Sequence, residues 1–432
     1  MTDQAAFSAY CKGLNEAIYH AGEKVCDHFN TETAVSSDAA GQFLDGVRKL
    51  AWTTRQYHQV ISDWMKQYVE KAPQLNGKHR KQALFWVRQF IEMSSPVNCF
   101  WTNPQAVRHL IESDGHSLFR GMLNWMADLN NSAGLVALAD RSSFELGRDL
   151  AATPGRVVFR NALVEVIQYA PQTDTVWQTP IVLIQPWINK YYIFDLGARN
   201  SMVGYLVRQG YTVFITSWKN PGPEMRQTGF DDYIIDGAKT AVEVAIDICR
   251  SRHVHAAGYC IGGTALAAMA GWMAGRQTPN PVSDISLFAT LLDFSDPGDL
   301  AALINPETVQ AIQQMVSAQG VLQAHQVASA FRLLNSTDLV WRYVVNNYFC
   351  GESPPRSDML FWNSDGTRLP EAMCKEFLEA FYLDNRMLEP NALKVRDRAI
   401  DLRLVKQPLY IVGAAKDHIC PWPATFQSCR LT

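Results

Sequence analysis

The chain has 432 residues, 47% of them hydrophobic, which is enough for a large buried core and for about two to three domains. A formal net charge of −3 gives no electrostatic reason to expect nucleic acid or an anionic membrane surface as a partner. The opening MTDQAAFSAYCKGLNE carries early acids and lacks the apolar stretch of a secretory signal, and no apolar run approaches the roughly 18 residues of a membrane helix.

Residues 1 to about 165 read as a helical N-terminal domain. Gln56 to Glu70 places Val60, Ile61, Trp64, Met65 and Val69 at helical spacing, and Lys81 to Met93 repeats the pattern with Leu84, Trp86, Val87, Phe90 and Ile91. Core packing is the expected use of these stripes, with partner binding as the alternative.

The pattern changes near residue 177. Pro180-Ile-Val-Leu-Ile-Gln-Pro186 predicts a buried strand, Ser201 to Gln209 a helix closed by Gly210, and Thr212 to Trp218 a second strand. Phe230 to Arg250 reads as a long helix, His253 to Tyr259 as a strand, and Thr264 to Ala274 as an Ala-rich helix. Two more strands are expected at Ile285 to Phe294 and Pro408 to Ala415. Strands alternating with helices imply an α/β fold with a doubly wound, mostly parallel sheet, here assigned to residues 166–432. The helix-rich interval of about 295–404 is too long for a simple connection and reads as a lid inserted over the sheet.

Gly258-Tyr259-Cys260-Ile261-Gly262-Gly263 falls where a predicted strand meets a predicted helix. This is the nucleophile elbow of an α/β-hydrolase fold with cysteine in place of serine. The helix that follows points its positive end at Cys260, which favours thiolate. The Ile261 amide is the expected first oxyanion donor, and the Pro186-Trp187-Ile188 loop the expected source of the second. A Gly-rich turn around a buried cysteine is the plainer alternative. Asp417, just after the last predicted strand, has the chain order of the acid partner, a helix-capping carboxylate being the alternative. The nine cysteines show no CxxC spacing, so no zinc site is expected, and reduced thiols in a cytoplasmic chain fit best.

Together with the elbow, several segments carry a resemblance. They are Gln185-Pro-Trp-Ile-Asn-Lys-Tyr-Tyr-Ile-Phe-Asp-Leu196, Tyr205 to Phe214, Ser217-Trp-Lys-Asn-Pro221, Thr290-Leu-Leu-Asp-Phe-Ser-Asp-Pro297, Asp338-Leu-Val-Trp341, Asn346-Asn-Tyr348, Phe361-Trp-Asn363 and Asp417-His-Ile-Cys-Pro-Trp422. From about residue 85 onward the chain resembles the polyhydroxyalkanoate synthases, of the class I type. The resemblance implies an acyltransferase that polymerises (R)-3-hydroxyacyl-CoA. Cys260 would hold the growing chain as a thioester, and Asp417 would help activate the attacking substrate hydroxyl. No cofactor is implied beyond the coenzyme A thioester substrate. The resemblance also implies a cytoplasmic homodimer associated with polymer granules, with neither nucleic acid nor membrane as partner.

The family's triad histidine, expected one strand beyond Asp417, has no counterpart before Thr432. His418 matches a different family histidine, and His253 and His255 read as packing residues. The expectation is a C-terminally truncated chain with impaired activity and a bared sheet edge. A cysteine-type esterase or depolymerase and a non-catalytic granule-associated partner stay open as alternatives.

Overall fold

A computed structural model describes residues 12–24, 39–131, 133–275 and 280–431. The chain forms two compact units: Met1–Asp140 with Ser329–Pro355, and Arg141–Ala328 with Arg356–Thr432.

The first unit contains α1 (Ala39–Lys71), α2 (Gly77–Met93), α3 (Pro104–Glu112) and α4 (His116–Asn131). Asn76 starts α2 by accepting the His79 amide at 2.9 Å, and Asn103 starts α3 in the same way, with Pro104 at the first helical position. The helical period of the sequence is present, but the core it was expected to build is only partly there. Phe85 and Ile91 of α2 and Val47 and Ala51 of α1 are buried, whereas Ile61, Trp86 and Phe90 are exposed. The α1–α2 contact uses a face narrower than the apolar stripe, so the rest of the stripe meets solvent. On α4, Leu118, Phe119, Met122, Leu123, Trp125 and Met126 are also exposed. The opposite side of α4 is fixed by residues 344–349: the Tyr348 hydroxyl donates to Asp128 at 2.8 Å, and Asn124 Nδ2 donates to the Asn347 carbonyl at 2.9 Å. Residues 329–355 therefore pack in this helical unit, although they fall inside the interval read as a lid.

The second unit is a seven-stranded sheet. Its strands are β1 (Gly155–Arg160), β2 (Val164–Tyr169), β3 (Ile181–Ile184), β4 (Val213–Trp218), β5 (Val254–Tyr259), β6 (Val282–Phe288) and β7 (Leu409–Val412). Their spatial order is β1-β2-β4-β3-β5-β6-β7. The β1–β2 and β2–β4 pairs are antiparallel, and the remaining pairs are parallel. The antiparallel β1–β2 hairpin corrects the expectation of helix up to residue 165. Its alternation is muted because β1 is an exposed edge, so only β2 has a buried face, with Val164 and Val166 inward. The other edge is β7, where Tyr410 is 63% and Val412 37% exposed.

Around the sheet run α5 (Met202–Arg208), α6 (Thr240–Cys249), α7 (Ile261–Ala274), α8 (Pro306–Gln319) and α9 (Trp422–Gln427). Ser201 caps α5 through the Gly204 amide at 2.7 Å. The predicted helix from Phe230 is continuous into α6 but passes through a π-helical stretch at Tyr233–Lys239. Every residue of α7 from Ile261 to Met273 is buried, which fits a helix that is apolar all round and runs through the core. The strand expected over Ile285 to Phe294 stops at Phe288. Ala289 takes a φ of +46°, and Leu291, Leu292 and Phe294 are buried as a loop. An apolar run tells of burial, and here burial is not strand.

Candidate active site

β5 is a central strand, and its chain turns into α7 at Cys260, whose backbone sits at φ +52° and ψ −127°. Positive φ at a non-glycine residue costs energy that the surroundings must hold in place. Here the Cys260 amide donates to the Phe288 carbonyl at 2.9 Å, and the Cys260 carbonyl accepts from the Gly263 amide at 2.9 Å and from Thr290 Oγ1 at 3.2 Å. The glycines are demanded by close approach. A Cβ on Gly258 would lie 2.4 Å from Gly263 Cα, and one on Gly262 would lie 2.4 Å from the Ile184 carbonyl oxygen. The second contact presses the elbow against the end of β3, where the loop expected to supply an oxyanion donor begins.

The chemistry gathers at the carboxyl ends of β3, β5, β6 and β7, where open parallel sheets bind ligands. Ile261 opens α7, and its amide lies near enough to the Cys260 sulfur to favour the charged thiolate. Trp187 is buried, its indole packed against Trp218, Tyr233 and Phe377, and it lies two residues past Gln185, whose carbonyl is close to Gly262 of the elbow. The carbonyls of Trp187 and Ile188 are both tied to Thr367, the latter by an amide at 3.0 Å. Among the described residues the amides of Trp187 and Ile188 have no protein acceptor, as an oxyanion donor requires.

Asp417 lies in the loop after β7. Its Oδ1 accepts the amides of Ile419 and Cys420, each at 2.8 Å. This is a capping arrangement, and it fixes the loop that enters the site. Cys420 is buried, and its nearby thiol is the main influence holding the Cys260 thiol below the ordinary thiol range. Burial opposes it, the Ile261 amide supports it, and the Asp417 charge opposes it. Cys420 is pushed far up by the neighbouring Cys260 thiol and by burial, so it stays protonated. Tyr259 and Tyr382 also feel both sulfurs, and burial holds their phenols neutral.

The structure thus brings Cys260, Ile261, Asp417 and the Trp187–Ile188 backbone into one place. It leaves His253 and His255 at the opposite end of β5, where His255 Nδ1 pairs with Asp284 at 2.5 Å. The His418 carbonyl accepts the Asp299 amide at 2.8 Å. Sequence reasoning passed over Cys420 and Tyr382. Cys420 stood in view, three residues past Asp417, but nothing local says that its thiol meets Cys260. Among the described residues no group of His, Cys, Asp or Glu is placed to hold a metal ion, and no helix is long and apolar enough to cross a membrane.

Comparison with known proteins agrees with this fold. A family model described as the N-terminus of poly-beta-hydroxybutyrate polymerase (PhaC) matches residues 48–206, and one described as the alpha/beta hydrolase fold matches residues 180–430. Poly(3-hydroxyalkanoate) polymerase subunit PhaC of Cupriavidus necator is 39% identical over 83% of this chain and 62% of its own length. The poly(3-hydroxyalkanoate) polymerase of Methylorubrum extorquens is 37% identical over 86% of this chain and 62% of its own length. Poly(3-hydroxyalkanoate) polymerase 1 of Ectopseudomonas oleovorans is 34% identical over 88% of this chain and 68% of its own length. The chain spans about three-fifths of the length of the first two of these relatives. An elbow cysteine on an α/β-hydrolase sheet, joined to an N-terminal region of the polymerase type, makes this chain a member of the poly(3-hydroxyalkanoate) polymerase family.

Proposed function

We propose that the chain is an acyltransferase that polymerises (R)-3-hydroxyacyl-CoA into a polyester through a thioester on Cys260. The observation that carries the reading is Cys260 itself, a cysteine at a positive-φ elbow where β5 turns into the N-terminus of the buried helix α7. In the first step the Cys260 thiolate attacks the thioester carbonyl. The amide of Ile261, with that of Trp187 or Ile188, receives the oxyanion. The carbon–sulfur bond to coenzyme A breaks, and coenzyme A leaves as the thiolate. In the second step the 3-hydroxyl of an incoming hydroxyacyl group attacks the Cys260 thioester. Asp417 draws on the hydroxyl proton, the ester bond forms and the bond to Cys260 breaks. Sulfur suits both halves, being a good nucleophile and a good leaving group. Coenzyme A is part of the substrate, and the reaction as proposed uses no resident cofactor.

The same reading extends to a cytoplasmic homodimer at the polymer granule. The exposed apolar side chains of α4 support the granule part, because a polyester surface offers apolar area to bury them.

Incubation with 3-hydroxybutyryl-CoA, with coenzyme A and polymer both followed, tests the activity. Coenzyme A release matched by polymer is expected. Release matched only by free 3-hydroxybutyrate would make the chain a hydrolase. Polymer formation by a Cys260→Ala variant at the parent rate would remove catalysis from this cysteine.

A further inference from the structure

The loop expected to supply the second oxyanion donor is strapped down by a stretch far along the chain, residues 362–377. Trp362 Nε1 donates to the Lys190 carbonyl at 2.8 Å, and the Tyr192 hydroxyl donates to Asp365 at 2.8 Å. Gly366 forms an antiparallel bridge with Asn189. Thr367 takes two successive carbonyls: its hydroxyl donates to that of Trp187, and its amide donates to that of Ile188 at 3.0 Å. The Phe377 ring lies 6.0 Å from the Trp187 indole. Thr367 and Trp187 are each 1% exposed, so water does not compete for the hydroxyl bond. Thr367 is itself held in place. The Arg368 amide donates to Asn220 Oδ1 at 3.0 Å, and Leu369 and Pro370 pair with Leu322 and Val321.

We propose that Thr367 is a positioning residue for the oxyanion site: by holding the Trp187 carbonyl it turns the Trp187–Ile188 peptide so that the Ile188 amide points at the oxygen of the acyl group on Cys260. This rests on Cys260 being the acyl-accepting nucleophile. It deepens that reading by naming which amide completes the oxyanion site and what aims it. A peptide unit is planar and trans, so the carbonyl of one residue and the amide of the next point in opposite directions. With the Trp187 carbonyl turned to Thr367, the Ile188 amide is turned to the other side of the loop. There it donates to no protein acceptor among the described residues. The root of the same loop is seated on the elbow, where a Cβ on Gly262 would lie 2.8 Å from the Gln185 carbonyl oxygen. One pinned carbonyl would leave the loop free to swing about it. Two in succession, on the hydroxyl and the amide of one residue, fix both peptide planes. The branched threonine side chain adds stiffness, because few rotamers are open to it. An amide held in this way needs no reorganisation when negative charge develops on the acyl oxygen.

The test compares two reactions of Cys260 in the full chain, for the parent and for Thr367→Val and Thr367→Ser. Both are read by mass spectrometry of the peptide that carries Cys260. First-turnover acylation by 3-hydroxybutyryl-CoA passes through an oxyanion. Alkylation by iodoacetamide does not, since the thiolate displaces iodide at a saturated carbon. Valine keeps the shape of threonine and loses the hydroxyl. It is expected to slow acylation about 10²-fold, the scale of a misplaced donor, and to leave alkylation within about twofold of the parent. Serine restores the hydroxyl and is expected to recover most of the acylation rate. Acylation of the valine variant at the parent rate overturns the proposal, as does a serine variant as slow as valine. Equal losses in both reactions, in a variant that still melts cooperatively, overturn it too, because they mark a general disturbance of Cys260. Should the valine variant fail to fold, Thr367→Ala removes the same hydroxyl without setting a methyl against the carbonyl, and the same two rates decide. If the parent takes no acyl group from the coenzyme A thioester, the polymerase reading fails, and 4-nitrophenyl acetate replaces it as acyl donor. Selective slowing of that acylation by valine would leave the role of Thr367 standing. A parent acylated by neither donor overturns both.

Discussion

Asp417 Oδ1 holds the amide of Cys420 at 2.8 Å, so the carboxylate proposed to act on substrate also builds the wall of the site. These two parts separate on mutation. In Asp417→Asn the side-chain oxygen still accepts the amides of Ile419 and Cys420, and the charge is gone. Acylation of Cys260 is expected to persist, because that step asks nothing of Asp417. Elongation is expected to fall by about 10²–10⁴-fold, the usual worth of general acid–base assistance. A single-turnover burst of coenzyme A with little polymer after it is the signature. Elongation by the variant at the parent rate would show that Asp417 is structural only.

Cys260, the proposed nucleophile, also offers a stability measurement. Its φ of +52° suits glycine and strains any side chain. Neither Cys260→Ala nor Cys260→Gly can hold an acyl group, and mass spectrometry after exposure to substrate is expected to find both unmodified. Chemical denaturation is expected to rank glycine above alanine by about 1 kcal/mol, the reverse of the order in an ordinary helix or strand. Alanine equal to or above glycine would mean that the elbow is unstrained in solution.

The elbow was legible because the spacing of Gly258, Cys260 and Gly262 encodes a local geometry that few other turns need. The parallel strands were legible for a related reason: Ile181 to Ile184 is a continuous apolar run, Val213 to Ile215 opens another, and prolines or glycines punctuate their ends. Failures occurred where tertiary context decides. Leu291 and Leu292 are apolar because a loop is buried, and Trp86 and Phe90 are apolar on a helix face that the fold leaves open. Cys420 is the instructive case. Its residue type and its neighbour Asp417 were both in view, but its partner lies at the end of another strand, and only the parallel pairing of β6 with β7 brings them together.

The glycine pressed against β3 makes a sharp prediction. A Cβ on Gly262 would overlap the Ile184 carbonyl oxygen at 2.4 Å, and backbone on both sides leaves no flexible side chain to yield. Gly262→Ala is expected to cost about 1–3 kcal/mol, or more, by overpacking. It is also expected to reduce acylation of Cys260, because relief of the clash moves the oxyanion loop away from the elbow. Thermal melting and acyl loading measured together check this. A variant with parent values of both would mean that the loop is not seated as described.

Glu371 predicts the acid limb of stability. Lys375, Arg226 and Ser317 all donate to it and hold its carboxyl down at about 2, against an ordinary 4.5. A carboxylate depressed in the folded state contributes stability that is complete above the unfolded value and is lost as pH falls through the folded one. The contribution is therefore expected to be full above about pH 4.5 and to drain away toward about pH 2. Glu371→Gln should flatten that part of the profile while lowering stability at neutral pH. Urea midpoints measured across this range check it, and parallel curves for parent and variant would show that the cluster carries no pH-dependent stability.

The α4 face gives the last prediction. Phe119 is 57% and Leu123 48% exposed, and the two lie one helical turn apart, so one apolar surface can bury both. At about 25 cal/mol per Å², covering the exposed part of each side chain is worth roughly 1 kcal/mol or somewhat more. A Phe119→Ser, Leu123→Ser double variant is thus expected to bind isolated polymer granules about tenfold or more weakly in a sedimentation assay. Acyl loading of Cys260 is expected to be unchanged, since neither residue belongs to the proposed site. Equal granule binding by parent and variant would mean that another surface docks on the polymer. Loss of acyl loading together with binding would mean that the substitutions unfold the chain, and the serine at Phe119 alone would then be measured.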